Sequence, residues 1–487
     1  MNMKSISFAI LIVIILTADI QAQFKIDYDP SIQPKENMQY FAPKGDNLFV
    51  GDCIPFWHDG TFYLYWLIDK GHHTSLNGLG GHQWVLSTTK DLKNWKHHPV
   101  VIGIDEDWEK SICTGSVTFH KNKFYAFYAT RLIDDAGKIN EQLSYAISDD
   151  GINFVKQKPN PFYTSAPGYS KRDFRDPKVI VDNEGIFHLF VSSTQEKAII
   201  NSGCLVHLAS GNLKEWEVKE PLLSGHGWVP ECPDYFKWNG WYYLISGHNY
   251  LMSKQPYGPW KYAESQIFDE PYTAVPKTAE FNGTRRIAAS WIPGKKDNKD
   301  GGQSLFGGNI LLRELVQNKD GTLGIKFPGE ALPDISEKIS WNLIIDDRIK
   351  LTGPGQFLFD ARGAFGLAHI ENIPANCRIS VEIEPDGTNE ECGMYLRSSE
   401  KPDDGYKLSF SMAKRSVNLA GASINAVSGM NKTYKADIIM KDDFIDVCIN
   451  DDRTIANRLI EKKGNQIWFF AKNGKVRFNN LVIYPIK

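Results

Sequence analysis

An aromatic strand core introduced by a turn residue and a Gly or Lys recurs five times along this chain, at residues 60–66, 122–128, 185–190, 240–245 and 284–291. Short runs rich in Phe, Tyr, Trp, Ile and Val between Gly, Asp, Asn and Pro read as β-strands, and almost no helical period is sustained between residues 40 and 330. A second element repeats behind the first. Residues 87–95, 148–154 and 210–216 each run from Ser through a turn to Trp or Phe, and 253–260 is a looser fourth copy. Each unit buries its faces only against its neighbours, so the pattern predicts a β-propeller, and the aromatic cores predict five blades. The fifth core is the least regular, because Arg285 and Arg286 interrupt it.

The first strand of a propeller blade runs beside the central axis, so residues at one phase of the repeat converge on one mouth of the channel. Asp52 stands eight residues before Gly60, Asp176 nine before Gly185, and Glu231 nine before Gly240. The second copy has Thr114 at that phase, within Cys113-Thr114-Gly115-Ser116. The expectation is a pocket holding three carboxyl groups and one hydroxyl. Asp176-Pro177 and Glu231-Cys232-Pro233-Asp234 also suit turn chemistry at a strand start, but three acids at matched phase favour a shared role.

Glycoside cleavage needs two carboxyl groups with opposite tasks, one delivering a proton to the leaving oxygen and one ionised to attack or to activate water. Crowded carboxylates raise at least one pKa, while a neighbouring cation lowers its partner's. Arg175, directly before Asp176, is placed to be that cation. On this reading Asp176 stays ionised and holds sugar hydroxyls, and Glu231 is the proton donor.

Composition narrows the partners. A net charge of -3 gives no reason to expect nucleic acid or an anionic membrane. The 13 Trp and 20 Tyr suit sugar stacking and all-β cores alike. The seven cysteines include no C-x-x-C pair, so neither a zinc site nor a dense disulfide framework is indicated, and most read as small buried hydrophobes. Cys53 and Cys232 stand out because each directly follows a candidate catalytic acid. Lys4, the apolar run 6–16 and small or polar residues before Ala22 fit a signal peptide over residues 1–22, without a following lipid-anchor Cys. That run is short for a bilayer, so a secreted or periplasmic protein without a membrane span is expected.

From about residue 335 the texture changes to short alternating segments, as at 379–383, 393–397, 406–411, 436–440, 444–449 and 466–470, which fit a β-sandwich. The expected organisation is therefore all-β: a propeller over residues 23–332 carrying the site, followed by an accessory β-sandwich over 333–487.

These residues resemble glycoside hydrolase family 32. The resemblance rests on Arg175-Asp176-Pro177, Glu231-Cys232-Pro233-Asp234, the stretch 82–87 with Asp91, Leu92 and Trp95, Cys113-Thr114-Gly115-Ser116, the stretch 306–309 with Arg313-Glu314-Leu315, and 445–453 with Asn457-Arg458. It spans nearly the whole mature chain. It implies a retaining β-fructofuranosidase-like enzyme acting on an oligo- or polysaccharide, with a five-bladed propeller, a β-sandwich, and no metal or organic cofactor. Asp52 is then the nucleophile, Glu231 the general acid and then base, and Asp176 the residue that binds ring hydroxyls and stabilises the transition state. The chain departs from the family at the nucleophile, where Gly51-Asp52-Cys53-Ile54-Pro55 replaces the usual Asn-Asp-Pro-Asn-Gly, and at Trp66, where Gln is common. Both departures fall where the fructosyl unit would bind.

Trp66, His82, Gln83, Trp84, Thr114, Arg175 and Trp291 are the candidate substrate-binding residues, and Trp108 is a further aromatic near the expected mouth. Residues 70–82 are rich in Gly and His; they read as a loop bordering the pocket, with His for hydroxyl contacts. Two rivals stay open: an inverting, arabinanase-like furanosidase, and a carbohydrate-binding propeller without catalysis.

Overall fold

The computed structural model describes residues 24–267, 273–387 and 389–487, so the expected signal peptide at 1–22 lies outside the described residues. Leu48–His58 (β1), Thr61–Lys70 (β2), Gln83–Thr89 (β3) and Trp95–Ile102 (β4) form an antiparallel meander. Ser111–His120 (β5), Lys123–Ile133 (β6), Ile139–Ser148 (β7) and Val155–Lys156 (β8) form the next. Arg175–Val181 (β9), Phe187–Thr194 (β10), Gly203–Ser210 (β11) and Glu217–His226 (β12) follow, then Asp234–Trp238 (β13), Trp241–Ser246 (β14), Asn249–Ser253 (β15) and Lys261–Ile267 (β16). Ala274–Phe281 (β17), Arg285–Lys295 (β18), Ser304–Gln317 (β19) and Leu323–Lys326 (β20) complete the series. Here β19 also pairs with β1, at Val50↔Gly308, so the last and first meanders share one sheet.

This succession fits a β-propeller. The repeated aromatic cores form the second strands β2, β6, β10, β14 and β18, where Phe62, Leu64, Phe127, Leu189, Tyr243 and Ile287 are wholly buried between sheets. The first strands are stitched to one another by buried polar groups. Ser116 on β5 donates its hydroxyl to Pro177 O on β9 (2.8 Å), Lys178 on β9 pairs with Asp234 on β13 (2.6 Å), and Asp234 accepts from the Thr278 hydroxyl on β17 (2.5 Å). Lys277 on β17 donates to Gly115 O on β5 (2.7 Å). Buried charges persist where they are paired and hydrogen-bonded, as here. No helix among the described residues is long and apolar enough to cross a membrane.

Two seven-stranded antiparallel sheets occupy Leu343–Pro485 and fit a β-sandwich. Their inner faces share one core in which Phe357, Phe359, Ile379, Met394, Phe410, Ile438, Phe469 and Phe478 are fully buried. Arg313 on β19 reaches into this region and forms a bidentate pair with Asp446 (2.9 and 2.8 Å), and Tyr40 donates to the same carboxylate (2.7 Å). All seven cysteines are free and buried, as expected for small apolar residues.

Candidate active site

A cavity of about 1040 Å³ is lined by Asp52, Asp176 and Glu231 together with Thr114, Arg175 and Trp291. What gathers these side chains is a repeated irregularity in the strand pairing. In β1, Gly51 and Asp52 stand opposite the one residue between Trp66 and Ile68; in β5, Cys113 and Thr114 stand opposite the one between Tyr128 and Thr130. In β9, Asp176 and Pro177 face the single residue between Phe190 and Ser192, and β17 repeats the break between Ala274 and Lys277. Ahead of β13 the same geometry recurs, since Gly247 N donates to Glu231 O (3.0 Å) while Asp234 pairs with Ile245. A bulge of two residues against one turns a side chain out of the sheet and is frequent beside functional sites. Asp176 (φ 55°) and Cys232 (φ 49°) take left-handed backbone conformations that side chains rarely adopt, a strain that clusters at such sites.

The three acids share this feature without sharing one position in it. Asp52 is the second bulge residue, Asp176 the first, and Glu231 directly precedes its bulge. The uniform phase expected from the sequence is therefore only approximate, because both the turn and the strand run between bulge and turn differ in length from one meander to the next.

Asp52 Oδ1 accepts from the Trp291 indole N–H (3.0 Å). The Cys232 thiol lies 3.6 Å from both Asp52 Oδ2 and Asp176 Oδ2, and the Cys232 backbone N–H donates to Asp176 Oδ2 (3.0 Å). Burial first, then the Asp176 charge, pushes the Asp52 carboxyl up to about 6, opposed by the Trp291 hydrogen bond and by Lys277 and His82. Burial likewise raises the Cys232 thiol well above its usual range, so it stays protonated.

Arg175 is shared among the acids, and not in the way the sequence suggested. Its Nη2 donates to Glu231 Oε1 (2.9 Å), whereas its Nε stands 3.7 Å from Asp176 Oδ2. The expected cation is present, but its shorter contact is with the acid expected to give up a proton. Its Nη1 donates to Asp173 Oδ1 (2.6 Å) and Glu141 Oε2 (3.2 Å).

His82 also lines the cavity, with Nε2 bonded to buried Asp69 (3.0 Å) and its ring stacked on Phe306. Trp66, Gln83 and Trp84 do not line it, which corrects their expected sugar contacts. Trp66 is fully buried and donates to the Ser87 hydroxyl (3.2 Å) between Tyr28 and Phe41. Trp84, equally buried, donates to Cys113 O (2.9 Å), and Gln83 Oε1 accepts from Ile104 N (3.3 Å). These side chains fill the space between sheets, the commoner use of aromatics in an all-β core. Trp108 bonds Glu106 away from the lining.

His73, from the stretch 70–82 read as bordering the pocket, and Phe306, from the stretch 306–309, line the wall, and so do Arg131 and Glu141, which sequence reasoning passed over. Nothing marks these two in the repeat, because they sit on second and third strands. Asp69, His73 and His82 each bring one donor atom within 4.8 Å of the others. The cluster is poorly suited to a cation, since Arg131 donates to His73 Nε2 (2.9 Å) and Asp69 already binds His82. Burial lowers His73 to about 4, leaving it a neutral ring that accepts from the guanidinium.

The meanders fit a β-propeller, and the bulges bring three acids to one cavity. The N-terminal domain of glycosyl hydrolases family 32 matches residues 54–307, and the chain belongs to that family. Its relatives include the sucrose-6-phosphate hydrolase of Bacillus subtilis (strain 168), 26% identical over 54% of this chain and 60% of that protein. The levanase of the same organism is 22% identical over 99% of this chain and 74% of its own length. Among solved structures, fructan 1-exohydrolase IIa from Cichorium intybus aligns over 93% of this chain and 98% of its own with a TM-score of 0.70 at 15% identity, which shows a common fold. Sucrose-6-phosphate hydrolase from Lactobacillus gasseri aligns over 96% and 95%, with a TM-score of 0.68 at 16% identity.

Proposed function

We propose that this protein is an exported glycoside hydrolase that cleaves fructosides or related furanosides by retaining double displacement. The observation that carries the reading is the convergence of Asp52, Asp176 and Glu231 on one cavity wall. Family membership and relatives named for sucrose 6-phosphate and levan cleavage support the substrate class. The five meanders support a five-bladed propeller over 23–332, and the two later sheets support an accessory sandwich over 333–487.

In the first step the Asp52 carboxylate attacks the anomeric carbon, the bond to the leaving oxygen breaks, and protonated Glu231 gives that oxygen its proton. In the second, ionised Glu231 takes a proton from water, the water oxygen attacks the same carbon, and Asp52 leaves as carboxylate. Asp176 accepts hydrogen bonds from ring hydroxyls, and Thr114, whose buried hydroxyl has no partner among the described residues, is placed to bond the sugar.

Levan, inulin, sucrose and arabinofuranoside oligomers form the test panel. Asp52→Asn and Glu231→Gln each abolish turnover while circular dichroism stays native. Retained activity in either variant removes the role assigned to that residue, and a first-formed product of inverted configuration by NMR removes the double displacement.

A further inference from the structure

Glu231 presents an electrostatic problem. Its half-exposed carboxyl accepts from the Arg175 guanidinium, a partner for the carboxylate, yet general acid catalysis needs a proton on it at the start of each cycle. The structure contains a device that offsets this. Glu141 on β7 is buried, with its side chain only 5% exposed, and stands directly opposite Arg131 on β6. Its Oε1 accepts from Arg131 Nε and Nη2 (3.2 and 2.8 Å), and its Oε2 accepts from Arg175 Nη1 (3.2 Å). Arg131 is fixed in turn by Leu79 O and His73 Nε2.

We propose that Glu141 is a positioning residue that holds the Arg175 guanidinium between Asp176 and Glu231 and draws on its charge, so that Glu231 can pass between its acid and carboxylate forms. This rests on the reading of Glu231 as proton donor. Several groups set the field at Glu231. Arg175 and Asp176 face it from β9, with Asp173 just before that strand; Asp52 faces it from β1, and Glu141 from β7 with Arg131 behind it on β6. Lys277 on β17 acts on the same cluster through Asp52 and Cys232. Each anion that shares Arg175 leaves less of its positive charge to hold Glu231 ionised. Glu141 is the one of these whose carboxylate is buried against a second arginine, which fixes its orientation and makes it a hinge between two cations. Burial raises the Glu141 carboxyl, and the two guanidiniums that donate to both of its oxygens oppose that rise.

The test is a ¹³C NMR titration of the Glu231 carboxyl in protein labelled at glutamate Cδ, assigned by loss of the signal in Glu231→Gln. Glu141→Gln removes one negative charge beside Arg175. The Glu231 midpoint then falls by about half to one pH unit, roughly a three- to ten-fold loss of proton affinity once solvent screening is allowed for. Arg131→Gln leaves Glu141 to Arg175 alone and moves the midpoint the other way, so the two variants bracket the wild type and either serves if the other fails to fold. An unmoved midpoint, or shifts of the same sign in both variants, overturns the proposal. In the hydrolysis assay the alkaline limb of the kcat/KM profile tracks these midpoints. Because the titration needs no turnover, wild-type protein that cleaves none of the panel yet shows opposed shifts keeps the positioning role and refutes the proposed function instead.

Discussion

Trp291→Phe isolates one hydrogen bond at the proposed nucleophile. The phenyl ring keeps an aromatic face toward Phe306 but removes the indole N–H that donates to Asp52 Oδ1 at 3.0 Å. A hydrogen bond to a charged group contributes about 1.5–3 kcal/mol, and about 1.36 kcal/mol corresponds to one pH unit. This bond favours the carboxylate, so its loss moves Asp52 upward from about 6 to roughly 7–8. At pH 6 the ionised fraction falls from about one half to about a tenth or a hundredth, and kcat/KM falls roughly 5- to 50-fold with it. Near pH 9 most of that loss returns. The assay is kcat/KM from pH 4 to pH 9 on the best substrate of the panel, with the acid limb fitted separately from the plateau. A lower plateau alone reports altered sugar contact, since Trp291 also lines the cavity. An acid limb that stays in place or moves down refutes the claim that this indole holds Asp52 ionised.

Two further outcomes concern stability. Asp52 is raised in the folded protein, so between about pH 4 and 6 the folded state binds more protons at this site than the unfolded chain; the carboxyl's stability contribution is fully present below the unfolded value and is lost as pH rises through about 6. Asp52→Asn therefore stabilises the fold by about 2–3 kcal/mol at pH 7 and by almost nothing at pH 4, which denaturant unfolding at the two pH values measures; equal effects at both contradict the burial argument. Asp446→Ala strands Arg313, which is 1% exposed, without its bidentate partner. It costs about 3–5 kcal/mol, and a midpoint within error of wild type in the same assay contradicts the role given to that pair.

The aromatic cores made the meanders legible because period-two alternation between turn residues has a single structural reading, and the second strands fall where those cores stand. The acids were legible because the repeat brings their strands to one axis. Their offset within the bulges was not, since a two-against-one break leaves no mark in a hydrophobic pattern beyond an occasional Pro such as Pro177 or Pro233. Trp66 and Trp84 misled for the opposite reason: sequence gives an indole's presence but not which side of the strand is filled by a neighbouring sheet. Glu141 and Arg131 went unseen because their meaning lies in a cross-strand register, Arg131↔Glu141, that only the folded pairing supplies.

The junction between β1 and β19 has a consequence for assembly. Asp52 lies on a strand made early in synthesis, yet that strand's second partner is Gly308, about 250 residues further on. Until β19 leaves the ribosome, β1 has one bare edge, with backbone donors and acceptors open to pairing with any other strand. The proton-donor wall around Glu231 is complete before the nucleophile wall is closed. Truncation between residues 232 and 307 thus yields a chain that carries all three acids and still has an open seam beside one of them, so a nascent or clipped product is a candidate for aggregation rather than for partial activity.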